Sequence, residues 1–73
     1  MEKDKIVLLK EQIKIQLSMC DTVATPLVCA NISSLEGYAK VEEFIINQVL
    51  INGFTIGQSV LQFEMQFNPN LLD

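Results

Sequence analysis

The most informative absences in this chain are histidine, arginine and tryptophan. Its 73 residues contain no histidine and no tryptophan, and all five basic residues are lysines. Without histidine, the chain lacks the side chain that most often acts as general acid or base near neutral pH. Without arginine, it lacks the planar bidentate group that suits phosphate and guanine best. These absences argue against an enzymatic function of the chain and against specific binding of DNA or RNA.

Motifs for catalysis, metal binding and cofactor binding are also missing. Cys20 and Cys29 are too few for a disulfide scaffold, and without histidine they do not complete a tetrahedral zinc site. Both lie among apolar neighbours, where an unassisted thiol is typically an inert core residue. Glu42 and Glu43 would point about 100° apart on a helix and therefore do not converge on a substrate. The three glycines fit no phosphate-binding loop. We expect no catalytic residue, no metal and no cofactor.

The chain is acidic and has no long apolar run. Its formal net charge is −4 and its isoelectric point is about 4.5. Unbroken apolar runs such as residues 6–9 and 49–51 are far shorter than the roughly 20 residues that a membrane span requires. The mixed charges of residues 1–5 do not resemble a secretory signal. We therefore expect a cytoplasmic protein that has no membrane partner.

Apolar side chains recur at helical spacing along most of the chain and predict an all-α fold. The expected elements are helices at about residues 3–21, 34–52 and 56–67, with a short connector helix before the second of them. Thr25 suits the N-cap of the connector helix, and Pro26 suits its first position. The main apolar stripes are Ile6, Leu9, Ile13, Leu17 and Cys20 on the first helix, Tyr38, Val41, Ile45 and Val49 on the central helix, and Ile56, Val60, Phe63 and Phe67 on the third.

Capping signals support the boundaries of the central and third helices. Ser33 and Glu36 have the spacing of a capping box, in which each side chain accepts a hydrogen bond from the backbone amide of the other. Thr55 and Gln58 repeat that spacing before the third helix. Between the two helices, Gly53 can adopt the left-handed conformation that commonly ends a helix. The sequence therefore predicts a tight corner at Gly53.

A small α+β fold is the structural alternative. Apolar and polar residues also alternate in residues 13–19 and 61–67, which is the pattern of a half-buried strand. Two terminal strands could then pair across the central helix. Good helix formers in residues 8–12 favour the helical interpretation, in which the third helix ends before Pro69.

Each predicted helix also has apolar residues outside its main stripe. These residues are Leu8, Ile15 and Met19 on the first helix, Phe44 and Leu50 on the central helix, and Leu61 and Met65 on the third. A chain this short is marginally stable alone, and soluble monomers rarely expose large apolar patches. We therefore expect residues 1–73 to form one domain that assembles into a homo-oligomer through these side chains. A two-fold dimer is the commonest symmetry. The alternative is that residues 23–32 cover one of these faces within the same chain.

The function that best fits this composition is non-enzymatic binding of a partner macromolecule, most naturally another protein. Small accessory regulators and inhibitors of phages and mobile elements have a similar size and composition. Aromatic side chains surrounded by polar ones are typical of small interfaces. On that basis the candidate binding residues are Glu36, Tyr38, Lys40, Phe54 and Phe67.

Two other functions are compatible with the sequence. In the first, the oligomer binds or sequesters a small anionic or nucleotide-like ligand, with Tyr38 and Lys40 near the free amides at the start of the central helix. In the second, residues 56–67 form the recognition helix of a helix-turn-helix DNA-binding regulator. That helix would present Gln58, Gln62, Glu64 and Gln66 without a cation, which does not suit a phosphate backbone.

Overall fold

Helices account for most of residues 2–67, the part of the chain that the computed structural model describes. Within this range there are four helices and no strand, and the all-α prediction is confirmed. The helices are α1 (Glu2–Ser18), α2 (Pro26–Asn31), α3 (Leu35–Asn52) and α4 (Ile56–Phe67). The alternative in which residues 13–19 and 61–67 form strands is wrong.

The predicted apolar stripes meet in one core between the helices. Its buried apolar side chains are Ile13 and Leu17 from α1, Val28 from α2, Val41 and Ile45 from α3, and Phe63 from α4. Every long helix therefore uses the face that its spacing predicts, and the short α2 also contributes to the core. The most extensive contact between two helices is that of α3 with α4.

The first helix is shorter than predicted because a turn around Asp21 competes with it. α1 ends at Ser18 rather than near residue 21. The Asp21 carboxylate accepts a hydrogen bond from the Val23 amide at 2.8 Å, and the Asp21 carbonyl accepts one from the Thr25 amide at 2.7 Å. Aspartate commonly folds the backbone back on itself in this way, which withdraws these groups from the helix.

The N-cap of α3 lies one residue beyond the predicted N-cap, Ser33. The Ser34 hydroxyl accepts a hydrogen bond from the Gly37 amide at 3.1 Å, so Ser34 is the N-cap. The Ser33 hydroxyl instead donates to the Ala30 carbonyl at 2.7 Å and thereby completes the end of α2. The predicted capping box of Ser33 and Glu36 is therefore wrong. Glu36 remains in the first turn of α3, where a carboxylate is favourable.

The corner between α3 and α4 has the predicted construction. Gly53 adopts a left-handed conformation with φ of 70°, and its amide donates to the Val49 carbonyl at 3.1 Å. The Gln58 amide donates to the Thr55 hydroxyl oxygen at 3.0 Å, and the Thr55 amide donates to the Gln58 side-chain oxygen at 2.9 Å. Both halves of this capping box are thus confirmed. Pro69, which we expected to follow the end of α4, lies outside the described residues.

No single helix within residues 2–67 is both long enough and apolar enough to cross a membrane. α3 and α4 meet these two criteria only when they are taken together, and the pair is bent by 117° at the Gly53 corner.

The close approach of α2 and α3 depends on Gly37. A Cβ atom at this position would overlap with the carbonyl oxygen of Asn31 and would stand 2.7 Å from its carbonyl carbon. The obstacle is backbone, which cannot move aside as the end of a flexible side chain can. Gly57 occupies a comparable place in the first turn of α4, but the nearest atom to its Cβ position is the Thr55 hydroxyl oxygen at 4.0 Å.

We therefore expect Gly37→Ala to lower the free energy of unfolding and Gly57→Ala not to lower it. Gly37→Ala should lower the free energy of unfolding by about 2 kcal/mol, the usual size of an overpacking effect. Gly57→Ala should leave it unchanged or raise it by up to about 1 kcal/mol, because alanine reduces the freedom of the unfolded chain. Urea denaturation followed by circular dichroism measures both values. Equal stabilities of the two variants would contradict the close α2–α3 contact.

Candidate functional site

A buried carboxylate joins α4 to the start of α2. Glu64 is 1% exposed, and its two carboxylate oxygens accept hydrogen bonds from the backbone amides of Leu27 at 2.8 Å and Val28 at 3.0 Å. Amides in the first turn of a helix have no partner within the helix. The negative charge also interacts favourably with the partial positive charge at a helix N-terminus. Glu64 therefore caps α2 from a different helix.

This capping arrangement differs from the one that the sequence predicts. Thr25 occupies the N-cap position and Pro26 the first helical position of α2, as expected, but the Thr25 side chain does not cap the helix. Its hydroxyl donates to the Asp21 carbonyl at 2.8 Å instead. The expected exposure of Glu64 on a DNA-reading face is also wrong. Glu64 follows Val60 by four residues and therefore lies at the edge of the apolar stripe. This position was the signal in the sequence that Glu64 is buried.

Most of the side chains predicted to form an oligomer interface are exposed. Five of them lie on the outer side of α1, on the turn that follows it at Met19, and on the outer side of α4, with exposed fractions between 51% for Met65 and 67% for Met19. We call this surface the α1/α4 face, which consists of Leu8, Ile15, Met19, Leu61 and Met65. Met19 and Leu61 line one shallow groove of about 160 Å³, so the turn after α1 and the helix α4 present these two side chains side by side.

The remaining two predicted interface residues lie on α3 and differ from each other. Leu50 is 55% exposed. Phe44 is half-buried, because its ring packs edge-on against the rings of Phe63 at 5.3 Å and Phe67 at 5.6 Å between centroids. Phe44 therefore stabilises the contact of α3 with α4 within the chain and does not extend the α1/α4 face.

The candidate binding residues do not form a single site. The Lys40 ammonium nitrogen lies 5.6 Å from the centroid of the Phe67 ring, so these two side chains are brought together. Tyr38 precedes Lys40 by two residues and therefore faces away from it by about 200° around the helix. Phe54 lies beyond the other end of α3, about 24 Å along the helix axis from Tyr38. Glu36 is exposed in the first turn of α3.

Tyr38 lines an open groove between α1 and α3. The groove has a volume of about 410 Å³, and its charged lining residues are Lys10, Glu11, Lys14 and Glu42. The Lys10 ammonium nitrogen lies 4.0 Å from a carboxylate oxygen of Glu42, which leaves Lys14 as the other cation of the groove wall. Burial, with a smaller effect of the Glu42 charge, raises the pKa of the Tyr38 phenol. The phenol is therefore a hydrogen-bond donor at neutral pH.

The two cysteines are in contact with each other, and Cys20 packs against the core as expected. Their sulfur atoms are 2.6 Å apart, and both side chains are half-buried. The Cys20 sulfur also lies 2.7 Å from the hydroxyl oxygen of Thr25. Burial is the main cause that raises the pKa of the Cys20 thiol. Cys20 is therefore a thiol at neutral pH. The pair lies where the turn after α1 meets α2.

Within residues 2–67, no group of three or more histidine, cysteine, aspartate or glutamate side chains is arranged to hold a metal ion. Comparison of the chain with protein-family models, with characterised proteins and with solved structures finds no match. The assignment of a function therefore depends on the geometry of the chain's own residues.

Replacing Glu64 should destabilise the fold more than replacing any exposed carboxylate. Glu64→Ala leaves two amides of α2 without their charged acceptor, and we expect it to lower the free energy of unfolding by about 3–5 kcal/mol. Glu64→Gln keeps one acceptor oxygen and should cost about 1–3 kcal/mol. Glu43→Gln is the matched control, because Glu43 is exposed on α3 and should change stability by less than about 0.5 kcal/mol.

Urea denaturation of the three variants tests this ranking. The Glu64→Gln variant keeps the comparison measurable even if Glu64→Ala does not fold. A Glu64→Gln variant as stable as the Glu43→Gln control would contradict a structural role for the buried carboxylate.

Proposed function

We propose that the protein functions by binding, as a small helical homodimer that acts as an accessory regulator or inhibitor of another macromolecule. The observation that supports this proposal is the α1/α4 face. Its five apolar side chains are at least half exposed, although the core is closed without them. Apolar surface of this extent on a small domain is typical of an interaction site.

A second copy of the same chain is the occupant that best fits this face. In a two-fold interface, each side chain near the axis approaches its own copy, so charged residues there would repel each other. On α1, Gln12 lies among these side chains, four residues after Leu8 and three before Ile15, and Glu11 and Gln16 border them on either side. Glutamine amides both donate and accept hydrogen bonds and can therefore pair with their own copies. The face is thus compatible with self-association.

The spacing along α1 supports the same arrangement. Leu8, Gln12 and Ile15 on α1 follow one another at intervals of four and three residues, and Met19 lies four residues further on, in the turn just after the helix. This is the spacing of the seam between two helices in a coiled coil. We propose that α1 packs against α1 of the second copy, and that Leu61 and Met65 widen the interface on one side.

Measurement of the mass in solution tests self-association. We expect light scattering at tens of micromolar to give about twice the chain mass of 8.2 kDa. Ile15→Glu and Leu61→Glu should each weaken the dimer at least about 100-fold, because burial of an unpaired charge costs several kcal/mol. The control is Leu35→Glu, since Leu35 is 90% exposed at the start of α3 and lies outside the face.

Circular dichroism should show the same helix content in all of these variants. A wild-type mass of one chain at several hundred micromolar would contradict the proposal, as would an equal loss of dimer in the Leu35→Glu control.

For the partner macromolecule, we propose the surface around Phe67 and Lys40. Phe67 is 42% exposed at the end of α4, and the Lys40 cation lies over its ring. An aromatic anchor beside a charged group is typical of small protein interfaces. This surface consists of Lys40 on α3 and Phe67 on α4. Neither residue belongs to the α1/α4 face.

The groove between α1 and α3 favours a small anionic ligand as the second candidate function. Lys14 and the Tyr38 phenol would supply a cation and a hydrogen-bond donor on opposite walls of the groove. Lys40, which we expected to share this role with Tyr38, lies beside Phe67 instead.

Thermal denaturation with inorganic phosphate and with ATP tests the ligand site. A ligand present at 100 times its dissociation constant should add about 2.7 kcal/mol to the stability, which raises the melting temperature. Lys14→Gln should abolish the rise, whereas Lys3→Gln, an exposed control outside the groove, should retain it. A melting temperature that neither compound moves would exclude these ligands.

A further inference from the structure

We propose that Cys20 and Cys29 form a reversible intramolecular disulfide, so that the corner between α1 and α2 is a site of redox modification. The reacting partner would be a small disulfide such as glutathione disulfide, or the active-site disulfide of an oxidoreductase. This inference does not depend on the proposed dimer or on its partner. It depends on two cysteine side chains that are near each other both in sequence and in space.

The positions of the two sulfur atoms carry the proposal. They are 2.6 Å apart, and a disulfide bond is about 2.05 Å long. Two thiols from unrelated parts of a core would have their sulfur atoms well beyond this separation. The sulfur atoms of Cys20 and Cys29 therefore already lie close to bonding distance from each other.

The two thiols belong to a continuous chain of hydrogen bonds that runs through Thr25 to Asp21. The Cys29 thiol donates to the Cys20 sulfur, and the Cys20 sulfur is 2.7 Å from the Thr25 hydroxyl oxygen. The Thr25 hydroxyl in turn donates to the Asp21 carbonyl at 2.8 Å. Since the hydroxyl proton is used in that bond, the Cys20 thiol is the donor to Thr25. Its lone pairs thus remain available to Cys29.

Reagents can reach Cys20, the member of the pair that lines a surface groove. Cys20 and Thr25 both line the groove that also contains Met19 and Leu61, and both sulfur atoms belong to half-buried rather than buried side chains. Access distinguishes this pair from cysteines enclosed in a core, which react slowly.

The reaction is balanced with a disulfide as the only oxidant. One cysteine loses its proton and attacks a sulfur atom of the small disulfide, whose S–S bond breaks and releases one small thiolate. The second cysteine then loses its proton and attacks the cysteine sulfur of the mixed disulfide, which releases the second small thiolate. The two thiolates take up the two protons. Two cysteine thiols are oxidised, and one small disulfide is reduced to two thiols.

The bond would close the short segment 20–29 and attach the end of α1 to α2. Closing a loop of this length restricts the unfolded chain, and for a domain of this size it corresponds to a rise in melting temperature of roughly 10–20 °C. Oxidation should therefore be measurable as a gain in thermal stability and not only as a change in mass.

The experiment uses the full chain, first reduced and then incubated with excess glutathione disulfide. We expect the intact mass to fall by two hydrogen atoms, both thiols to resist alkylation, and the chain to migrate as a single chain on a non-reducing gel. Dithiothreitol should restore both thiols. The melting temperature of the oxidised protein should rise by roughly 10–20 °C over the reduced protein.

Single-cysteine variants provide the matched controls. Cys20→Ser and Cys29→Ser each lack the second attacking thiol, so each should retain one glutathionyl group and show no comparable rise in melting temperature. A wild-type chain that retains glutathionyl groups, that keeps two alkylatable thiols, or that links to a second chain through a disulfide would overturn the proposal.

Discussion

The contact between the Glu64 carboxylate and two backbone amides of α2 holds the rest of the fold in place. α2 has only six residues and is far too short to be stable by itself. Attached to α4, it places Val28 in the core and its last residue, Asn31, against Gly37 of α3. A carboxylate in this position would be costly if it were unpaired, but here both of its oxygens accept hydrogen bonds.

The same arrangement determines which surfaces remain available for binding. Because α2 closes the core from its side, the inner faces of α1, α3 and α4 are used within the chain. The outer sides of α1 and α4 are left with apolar side chains that the fold does not need. This division between a closed core and a spare apolar face is the physical basis of the proposed dimer. The turn that connects α1 to α2 also brings the two cysteines together, so its geometry serves both the fold and the proposed redox chemistry.

Local signals predicted the helices and the corner at Gly53 well. The capping box of Thr55 and Gln58 and the left-handed glycine depend on residues that are near one another in sequence, so their spacing is sufficient to identify them. The central and third helices lie where their apolar stripes indicated, and the first helix differs at its end, which comes at Ser18. The positions of these helices follow from the helical periodicity of their apolar residues alone.

The features that the sequence did not reveal depend on contacts between distant segments or on competition between adjacent caps. Glu64 is separated from Leu27 by 37 residues, and no local pattern shows that a carboxylate will meet a helix start so far away. Ser33 and Ser34 are equally good caps by type, and the end of α2 decides between them, because Ser33 bonds to Ala30. The approach of the two cysteines likewise requires knowledge of the turn at Asp21, which shortens α1.

Native-state hydrogen exchange at the amides of Leu27 and Val28 tests the Glu64 contact most directly. If the carboxylate holds α2 in the fold, both amides should exchange only when the whole domain unfolds, as slowly as those of Val41 and Ile45 in the middle of α3. Exchange of these two amides at the rate of frayed helix ends, well ahead of α3, would contradict the account.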